Sequence, residues 1–296
     1  MSKLNITITL ITLTFCINIT AAQIPLGETI KRLSAPAKAT VGVAVLSLEG
    51  REAVSINGNK HLVMQSVMKF PIAITVLHQV DIGKLKLDQS ITITKADLPP
   101  TYSPLRDKYP EGGVSVPISE LLSYMVSQSD NNACDILLRV LGGTVAVRNY
   151  LKALNINDIA VNASESEMAA AWQVQYNNWC TPNAMVNLLD KFYHGKTLSK
   201  NGTAFLMRLL AATSTGPKQI KGLLPAATIV AHKTGRSATN AAGLSPATND
   251  IGIIALPNHK HLAIAIFVYN ATADLPVREE VIAKIAKAAY DESAAR

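Results

Sequence analysis

Residues 64–77 read MQSVMKFPIAITVL, an apolar stretch with a serine and a lysine near its start. Ser66 and Lys69 are three positions apart, and on a helix this spacing puts both side chains on one face, close enough for the amine to contact the hydroxyl. An ammonium beside a burying helix is unfavourable unless it is used or paired. The stretch predicts a helix that enters a core, with Pro71 tolerated because it lies near the helix start.

Strand patterns lie on both sides of this helix in the sequence. Before it, TVGVAVLSL (40–48) has apolar residues on both faces, as in a strand covered on both sides, and EAVSIN (52–57) follows a turn at Gly50 as a hairpin partner. From residue 227 the strand patterns return as ATIVAHKTGRS, NDIGIIALP and HLAIAIFVYN, and an amphipathic helix, PVREEVIAKIAKAAYD, closes the chain.

The middle of the chain, about 65–215, has mainly helical periodicity. Strands at both ends with helices between them predict an α+β protein whose sheet is assembled from both termini, with an all-helical lobe inserted into it. We therefore predict a sheet domain of residues 23–62 and 213–296 and a helical domain of residues 63–212.

The first 22 residues have a single early lysine, an apolar run and small residues up to Ala22. This pattern is typical of a secretory signal peptide cleaved before Gln23, and a retained membrane anchor is the alternative. We expect a periplasmic protein with no stable membrane association after cleavage.

Two cysteines remain in the exported chain, Cys134 and Cys180. The compartment permits a disulfide, but Cys134 lies in the apolar run ACDILL, which favours a buried thiol. The sequence leaves both alternatives open.

The composition narrows the classes of ligand. The 296 residues are 48% hydrophobic and 17% charged, which is typical of a globular protein, and the net charge of +7 is scattered without an arginine-rich run. This distribution argues against nucleic-acid binding and suits small anionic substrates. His259 and His261 flank a predicted hairpin turn without a third ligand, and His232 is interpreted as a hydrogen-bonded strand histidine, so we expect neither a metal nor another cofactor.

Three short motifs occur in order: S-x-x-K at 66–69, S-D-N at 129–131 and K-T-G at 233–235. Each has a structural alternative: a helix cap with a snorkelling lysine, a capping turn between two helices, and a strand that ends in a glycine turn. Their joint occurrence, in this order and in these predicted settings, favours a catalytic interpretation.

The three motifs resemble the signature set of class A serine β-lactamases and penicillin-binding proteins. The resemblance covers nearly all of residues 40–290, and segments such as SQSDNNACDILL, QVQYNNW and ATNDIGII are similar to the PER- and VEB-type branch of class A. It implies a five-stranded antiparallel sheet flanked by helices, β-lactam substrates and a monomeric enzyme that confers antibiotic resistance.

The resemblance also implies roles for the motif residues. Ser66 is expected to be the nucleophile, with Lys69 accepting its proton if a second ammonium, Lys233, depresses the pKa of Lys69. Ser129 is expected to relay a proton to the departing ring nitrogen, and Glu165 to activate the water for deacylation.

The remaining residues are expected to bind substrate. Asn131 would contact the side-chain amide of the substrate, and the backbone N–H groups of Ser66 and Arg236 would form the oxyanion hole. The further substrate-binding residues expected are Lys233, Thr234, Gly235 and Tyr102.

Three departures from the family pattern stand out. Ala169 replaces the Asn or His that helps to hold the water, and Gln219 replaces an arginine that binds the substrate carboxylate. Arg236 stands where Thr, Ser or Ala is usual, and because residues two apart in a strand share a face, its guanidinium would take over the role lost at Gln219. The alternative is an arginine directed to solvent.

Two other functions remain open. A penicillin-binding protein or D-alanyl-D-alanine peptidase would be acylated and then stall, and a non-catalytic sensor would use the acyl-serine as a signal. Glu165 argues against the first, and the lack of a further apolar span argues against the second.

Overall fold

The structure is a computed structural model that describes residues 24–295, so the predicted signal peptide lies outside the described residues. The strands, in chain order, are β1 (Thr40–Ser47), β2 (Ala53–Ile56), β3 (Leu62–Val63), β4 (Ser90–Ile93), β5 (Val114–Pro117), β6 (Ile159–Ala160), β7 (Trp179–Cys180), β8 (Val230–Arg236), β9 (Ser245–Ala255) and β10 (His261–Ala271).

Most α-helices of residues 24–295 lie between β3 and β8, as the sequence predicts. In chain order they are α1 (Leu26–Ser34), α2 (Lys69–Asp81), α3 (Pro104–Lys108), α4 (Ile118–Ser127), α5 (Asn131–Leu141), α6 (Thr144–Ala153), α7 (Glu165–Ala170), α8 (Pro182–Tyr193), α9 (Lys200–Ala211) and α10 (Leu275–Ala294).

The main sheet of the described residues is five-stranded and antiparallel, with the order β2-β1-β10-β9-β8. The first strand of the chain pairs with the last, from Thr40 opposite Tyr269 to Ser47 opposite Leu262. The predicted β1–β2 hairpin forms, and β8 occupies one free edge of the sheet. The α+β class and the five-stranded sheet built from both ends of the chain are therefore confirmed.

Both faces of the sheet are covered, because side chains alternate along each strand. On β10, Ile264 and Ile266 pack into a core with residues of α1 and α10, whereas Ala265 and Phe267 pack into a second core with the helices of the middle segment. The domain boundaries at 62/63 and 212/213 stay a prediction.

The start of α2 differs from the prediction. Residues Gln65–Met68 form a 3-10 turn, and the α-helix begins only at Lys69. Pro71 has no N–H and its ring would clash with the carbonyl of Val67 in a longer α-helix, so the tighter turn precedes it. In a 3-10 turn residues three apart eclipse each other, so the turn keeps Ser66 and Lys69 on one side.

Cys134 and Cys180 are free thiols, and both are fully buried. The buried-thiol interpretation is therefore correct, and the disulfide alternative is wrong. Burial raises the pKa of both thiols well above the ordinary value.

Within residues 24–295, none of the helices combines the length and the apolar character needed to cross a bilayer.

Candidate active site

A cavity of about 420 Å³ opens between β8 and the helical segment. It brings together residues from all three motifs, although Ser66 and Arg236 lie far apart in the sequence. Its lining consists of Ser66, Tyr102, Ser129, Asn131, Thr215, Gly216, Gln219, Thr234, Gly235, Arg236 and Glu279.

Ser66 lies in the 3-10 turn, which packs directly against β8. A methyl group at Gly235 would lie 2.3 Å from the carbonyl oxygen of Met64, 3.0 Å from the amide nitrogen of Val67 and 3.2 Å from that of Ser66. No side chain fits in that space without moving the turn or the strand. Gly235 is therefore required for the close approach of β8 to the serine, not merely to end the strand.

The backbone of β8 also leaves an amide directed away from the sheet. The N–H of Ser237 donates to the carbonyl of Ala247 on β9, at 2.9 Å. Because successive N–H groups alternate in direction along a strand, the N–H of Arg236 is directed off the free edge of the sheet.

Lys69 is completely buried at the first position of α2, and its ammonium contacts three oxygen atoms. Nζ donates to the backbone oxygen of Ser129 at 2.7 Å and to Oδ1 of Asn131 at 2.7 Å, and it forms an ion pair with Oε1 of Glu165 at 2.9 Å. The first two contacts are hydrogen bonds, whereas the contact with Glu165 compensates the charge of the ammonium without hydrogen-bond geometry, since Oε1 has no hydrogen-bond partner among the described residues.

Lys233 lies on β8, also completely buried, and donates to Oγ of Ser129 at 2.9 Å and to the backbone oxygen of Thr234 at 3.0 Å. Burial, followed by the nearby Lys69 ammonium, lowers the pKa of Lys233 to about 7. The Lys69 ammonium therefore acts on Lys233 across Ser129. The expectation that Lys233 depresses the pKa of Lys69 stays a prediction.

The S-D-N segment forms a turn that joins α4 to α5. Asp130 is completely buried and accepts hydrogen bonds from Oγ of Ser103, the N–H of Leu105 and the N–H of Ala133, which caps α5. Ser129 adopts a left-handed conformation with φ 61°. The capping interpretation is correct for Asp130, and the same cap holds Ser129 and Asn131 at the cavity.

Asn131 and Tyr102 line the outer wall of the cavity. The Asn131 side chain receives a hydrogen bond from Lys69 and donates to Oγ1 of Thr101 at 2.9 Å, and its backbone N–H donates to the carbonyl of Tyr102 at 3.1 Å. Tyr102 is 58% exposed, so its ring lies at the mouth of the cavity.

Glu165 is the first residue of the short helix α7 and is buried. Asp135 on α5 fixes this end of the helix, because its carboxylate accepts from the N–H of Glu165 at 2.8 Å and from the N–H of Ser166 at 2.9 Å. Burial raises the pKa of Asp135 against the opposing effect of these hydrogen bonds. Sequence reasoning missed Asp135, and the signal was a lone carboxylate within the apolar run NACDILL.

Two further polar side chains shape the loop around Glu165. Glu167 forms a capping box with Ser164, with hydrogen bonds of 2.7 and 3.2 Å, which explains the second acidic residue of the segment. Asn178 is completely buried and accepts from the N–H groups of Asn162 and Ala163. Ala169, at the position of the expected water-holding residue, is exposed on α7.

Two positions that depart from the family pattern, Gln219 and Arg236, lie at the end of the cavity beside β8. Thr234 and Thr215 share a hydrogen bond between their hydroxyl groups at 2.6 Å. Gln219 is buried, and its Oε1 has no hydrogen-bond partner among the described residues. Arg236 is exposed and lines the same cavity as Thr234, as its strand position predicts, and Glu279 of α10 adds an acidic group to this wall.

Two histidines considered as metal ligands make hydrogen bonds to other side chains instead. His232 is buried on β8 and its Nδ1 lies 3.0 Å from the carboxylate of Asp250, as expected for a hydrogen-bonded strand histidine, whereas its buried Nε2 has no hydrogen-bond partner among the described residues. His261 contacts Glu49 and Tyr193 at 3.0 and 2.8 Å. Among residues 24–295, no group of three or more His, Cys, Asp or Glu side chains is arranged to hold a metal.

Together the fold and this site define a serine hydrolase of the class A β-lactamase type. A family model described as "Beta-lactamase enzyme family" matches residues 25–293, and the chain belongs to this family.

Known proteins similar to this chain agree with that assignment. β-Lactamase VEB-1 of Pseudomonas aeruginosa is 43% identical over 256 residues, which is 86% of this chain and 85% of the relative. Extended-spectrum β-lactamase PER-1 of the same organism is 43% identical over 284 residues, or 95% and 92% of the two chains. A class A β-lactamase structure from Bacteroides cellulosilyticus superposes with a TM-score of 0.88 at 38% identity, covering 92% of this chain and 98% of the other.

Proposed function

We propose that this protein hydrolyses the β-lactam amide of penicillins and cephalosporins through an acyl-enzyme on Ser66, with extended-spectrum cephalosporins among its substrates. The observation that carries the proposal is the buried contact of 2.9 Å between Lys69 and Glu165 beside the serine turn. It places the amine proposed for acylation next to the carboxylate proposed for deacylation, so that a proton can pass between them. The similarity to an extended-spectrum relative supports the substrate range.

Acylation requires that the proton of Ser66 be removed while its Oγ bonds to the lactam carbonyl carbon. A proton passes from Lys69 to Glu165 across their contact, and the neutral amine then takes the proton of Ser66. When the lactam C–N bond breaks, the ring nitrogen takes the proton of Ser129, which lies between the two lysine side chains. Lys69 returns a proton to Ser129 and regains the one held by Glu165, so Glu165 is a carboxylate again. The N–H groups of Ser66 and Arg236 stabilise the negative oxygen of the tetrahedral intermediate.

Deacylation requires a water molecule activated at the ester. Glu165, returned to the carboxylate form, takes a proton from this water while the oxygen attacks the ester carbonyl, and gives that proton to the Ser66 oxygen when the ester C–O bond breaks. The backbone hydrogen bonds to Asp135 hold the carboxylate in position for this step. A carboxylate that is anchored in this way distinguishes a hydrolase from a protein that stays acylated.

Substrate binding uses the end of the cavity beside β8. The ring carboxylate accepts hydrogen bonds from Thr234 and from Arg236, whose guanidinium replaces the arginine absent at Gln219. Asn131 contacts the side-chain amide of the substrate, and Tyr102 borders the mouth. The resulting enzyme is a monomer exported to the periplasm, where hydrolysis of the drug confers resistance.

Turnover of nitrocefin by the purified protein tests the proposal. We expect many equivalents to be hydrolysed per equivalent of enzyme, with a transient acyl adduct at Ser66 detected by mass spectrometry. A single stoichiometric burst that leaves a permanent adduct would instead assign the protein to the penicillin-binding or sensing functions.

A further inference from the structure

Gln175 makes contacts that the proposed chemistry does not use. It lies in the 3-10 segment Trp172–Asn177, after the helix that begins with Glu165, and its side chain is 5% exposed. Its Oε1 accepts from Nε2 of Gln65 at 2.7 Å and from Oγ of Ser237 at 2.9 Å. Its Nε2 donates to the carbonyl of Trp172 at 2.7 Å.

The two partners of Oε1 are next to the groups that would stabilise the tetrahedral intermediate. Gln65 precedes the nucleophile and has a left-handed backbone with φ 49°, and Ser237 follows Arg236. The buried Oε1 of Gln175 therefore connects Gln65, which precedes the expected donor Ser66, with Ser237, which follows the expected donor Arg236. A carbonyl oxygen has two lone pairs, so both of its acceptor sites are occupied.

The bridge spans segments that are far apart in sequence. Gln175 is separated from Gln65 by 110 positions and from Ser237 by 62. The bond from Nε2 to Trp172 fixes the orientation of the amide, because only its nitrogen can donate to that carbonyl. One side chain of the loop after Glu165 thereby ties the serine turn to the end of β8, in addition to the direct packing of Gly235.

We propose that Gln175 is a positioning residue that holds the two backbone donors of the oxyanion hole at the separation the tetrahedral intermediate requires. The inference rests on the proposed function, since it assumes that the N–H groups of Ser66 and Arg236 are these donors. Donors fixed in advance stabilise the charge without reorganisation during the reaction, so a shift of either one reduces the rate.

The test uses Gln175→Ala in the full exported chain, with Gln173→Ala as the matched control. Gln173 is the same residue type in the same segment, but it is exposed. For each protein we would measure kcat/KM for nitrocefin, the separate rates of acylation and deacylation, and the Kd of an arylboronic acid. The boronic acid forms a tetrahedral adduct on the serine and so reports on the oxyanion hole without acyl hydrolysis.

We expect Gln175→Ala to lower the acylation rate about tenfold and to weaken boronic acid binding by the same factor. Gln173→Ala should match wild type in both measurements. Parallel losses are a signature of the tetrahedral state, which general destabilisation of the fold does not produce. Slower deacylation with unchanged acylation and unchanged boronic acid affinity would overturn the inference, because Gln175 would then act on Glu165 alone.

A second variant keeps the inference falsifiable if Gln175→Ala does not fold. Ser237→Ala removes one hydrogen bond to Oε1 and leaves the loop intact, and we expect a parallel but smaller loss of acylation and boronic acid affinity. A wild-type protein that does not turn over nitrocefin overturns the proposed function and this inference with it. If the wild type turns over nitrocefin, and both Gln175→Ala and Ser237→Ala match it in acylation rate and boronic acid affinity, this inference alone is overturned.

Discussion

The two ends of the active-site cavity are built differently. Behind Ser66 and Ser129, which line the buried end, lie Lys69, Lys233 and Glu165, whose polar groups are paired or hydrogen-bonded away from water. The open end contains the substituted positions, including an exposed Arg236 and, among the described residues, the unpartnered Oε1 of Gln219.

The groups proposed to react therefore lie at the buried end, and the groups proposed to bind substrate lie at the open end. A buried charge tolerates few changes, because removing one partner leaves the other uncompensated in a region of low dielectric. An exposed charge is screened by water and can be replaced at small cost. The three motifs are intact at the buried end, where Ala169 on the helix of Glu165 is the one departure from the family pattern, and the departures at positions 219 and 236 fall beside β8.

Replacing a charge at the buried end should have the largest effect. Glu165→Gln removes the proposed base but keeps its size, so we expect kcat to fall by about 10³-fold and the acyl-enzyme to accumulate. Mass spectrometry and steady-state kinetics provide the measurement. Glu167→Gln is the control, since Glu167 only caps α7, and its kcat should stay within about twofold of wild type. If both variants had the same kcat, Glu165 would not be the base of the reaction.

A change at the junction of the two ends should be the next largest. Gly235→Ala forces a methyl group to within 2.3 Å of the Met64 oxygen and displaces the serine turn from β8. Misplacement of reacting groups by about 1 Å can reduce rates by about 10²-fold, and we expect a loss of this size in kcat/KM. Gly27→Ala is the control, because its methyl group would find no atom closer than 3.8 Å. Wild-type kcat/KM for Gly235→Ala would contradict this close packing.

The buried Lys233 should also make the stability of the fold depend on pH. The ordinary pKa of 10.5 for Lys233 falls to about 7 in the folded protein. Between these two values the unfolded chain holds a proton on Lys233 that the folded chain lacks, so stability rises with pH across this window and is lost progressively as the pH is lowered towards 7. The expected slope is up to about 1.4 kcal/mol per pH unit.

Chemical denaturation at several pH values across this window measures the contribution. The difference in unfolding free energy between wild type and Lys233→Met should change with pH. The control Lys218→Met, which removes an exposed lysine, should give a constant difference. A constant difference for both variants would show that the charge of Lys233 is unaffected by folding.

The smallest effect is expected at the open end. Arg236→Thr removes an exposed guanidinium, and because water screens that charge, we expect KM for an anionic cephalosporin to rise only about three- to tenfold with kcat nearly unchanged. Glu279→Gln removes the opposite charge from the same wall and should lower KM slightly. If Arg236→Thr changes neither parameter, the guanidinium takes no part in substrate binding.

Local patterns in the sequence predict much of this molecule. Short, nearly continuous apolar runs identify β1, β9 and β10. The three motifs indicate Ser66 and its partners from short runs of neighbouring residues alone. Thr181 is an example at single-residue detail: threonine is a preferred N-cap residue, and Thr181 caps α8 by accepting a hydrogen bond from the N–H of Ala184. These features depend on neighbours in sequence or on residue types with one dominant chemistry.

Other features depend on contacts that no local pattern encodes. Asp135 binds backbone groups 30 positions away, and Gln175 binds side chains 110 and 62 positions away. The 3-10 turn at Ser66 arises from the steric effect of Pro71 together with the packing of Gly235. Side chains that hold backbone in place have no periodicity, and a sequence alone does not show which backbone they will meet.

The pairing of β1 with β10 also has a consequence for biosynthesis. Thr40 lies opposite Tyr269, so the middle of the sheet stays without its central strand until nearly the whole polypeptide has left the ribosome. Pairings this distant in sequence form late and slowly. A nascent chain with this connectivity completes its main sheet only after its last strands have been synthesised, and this delay would keep the chain compatible with the export proposed above.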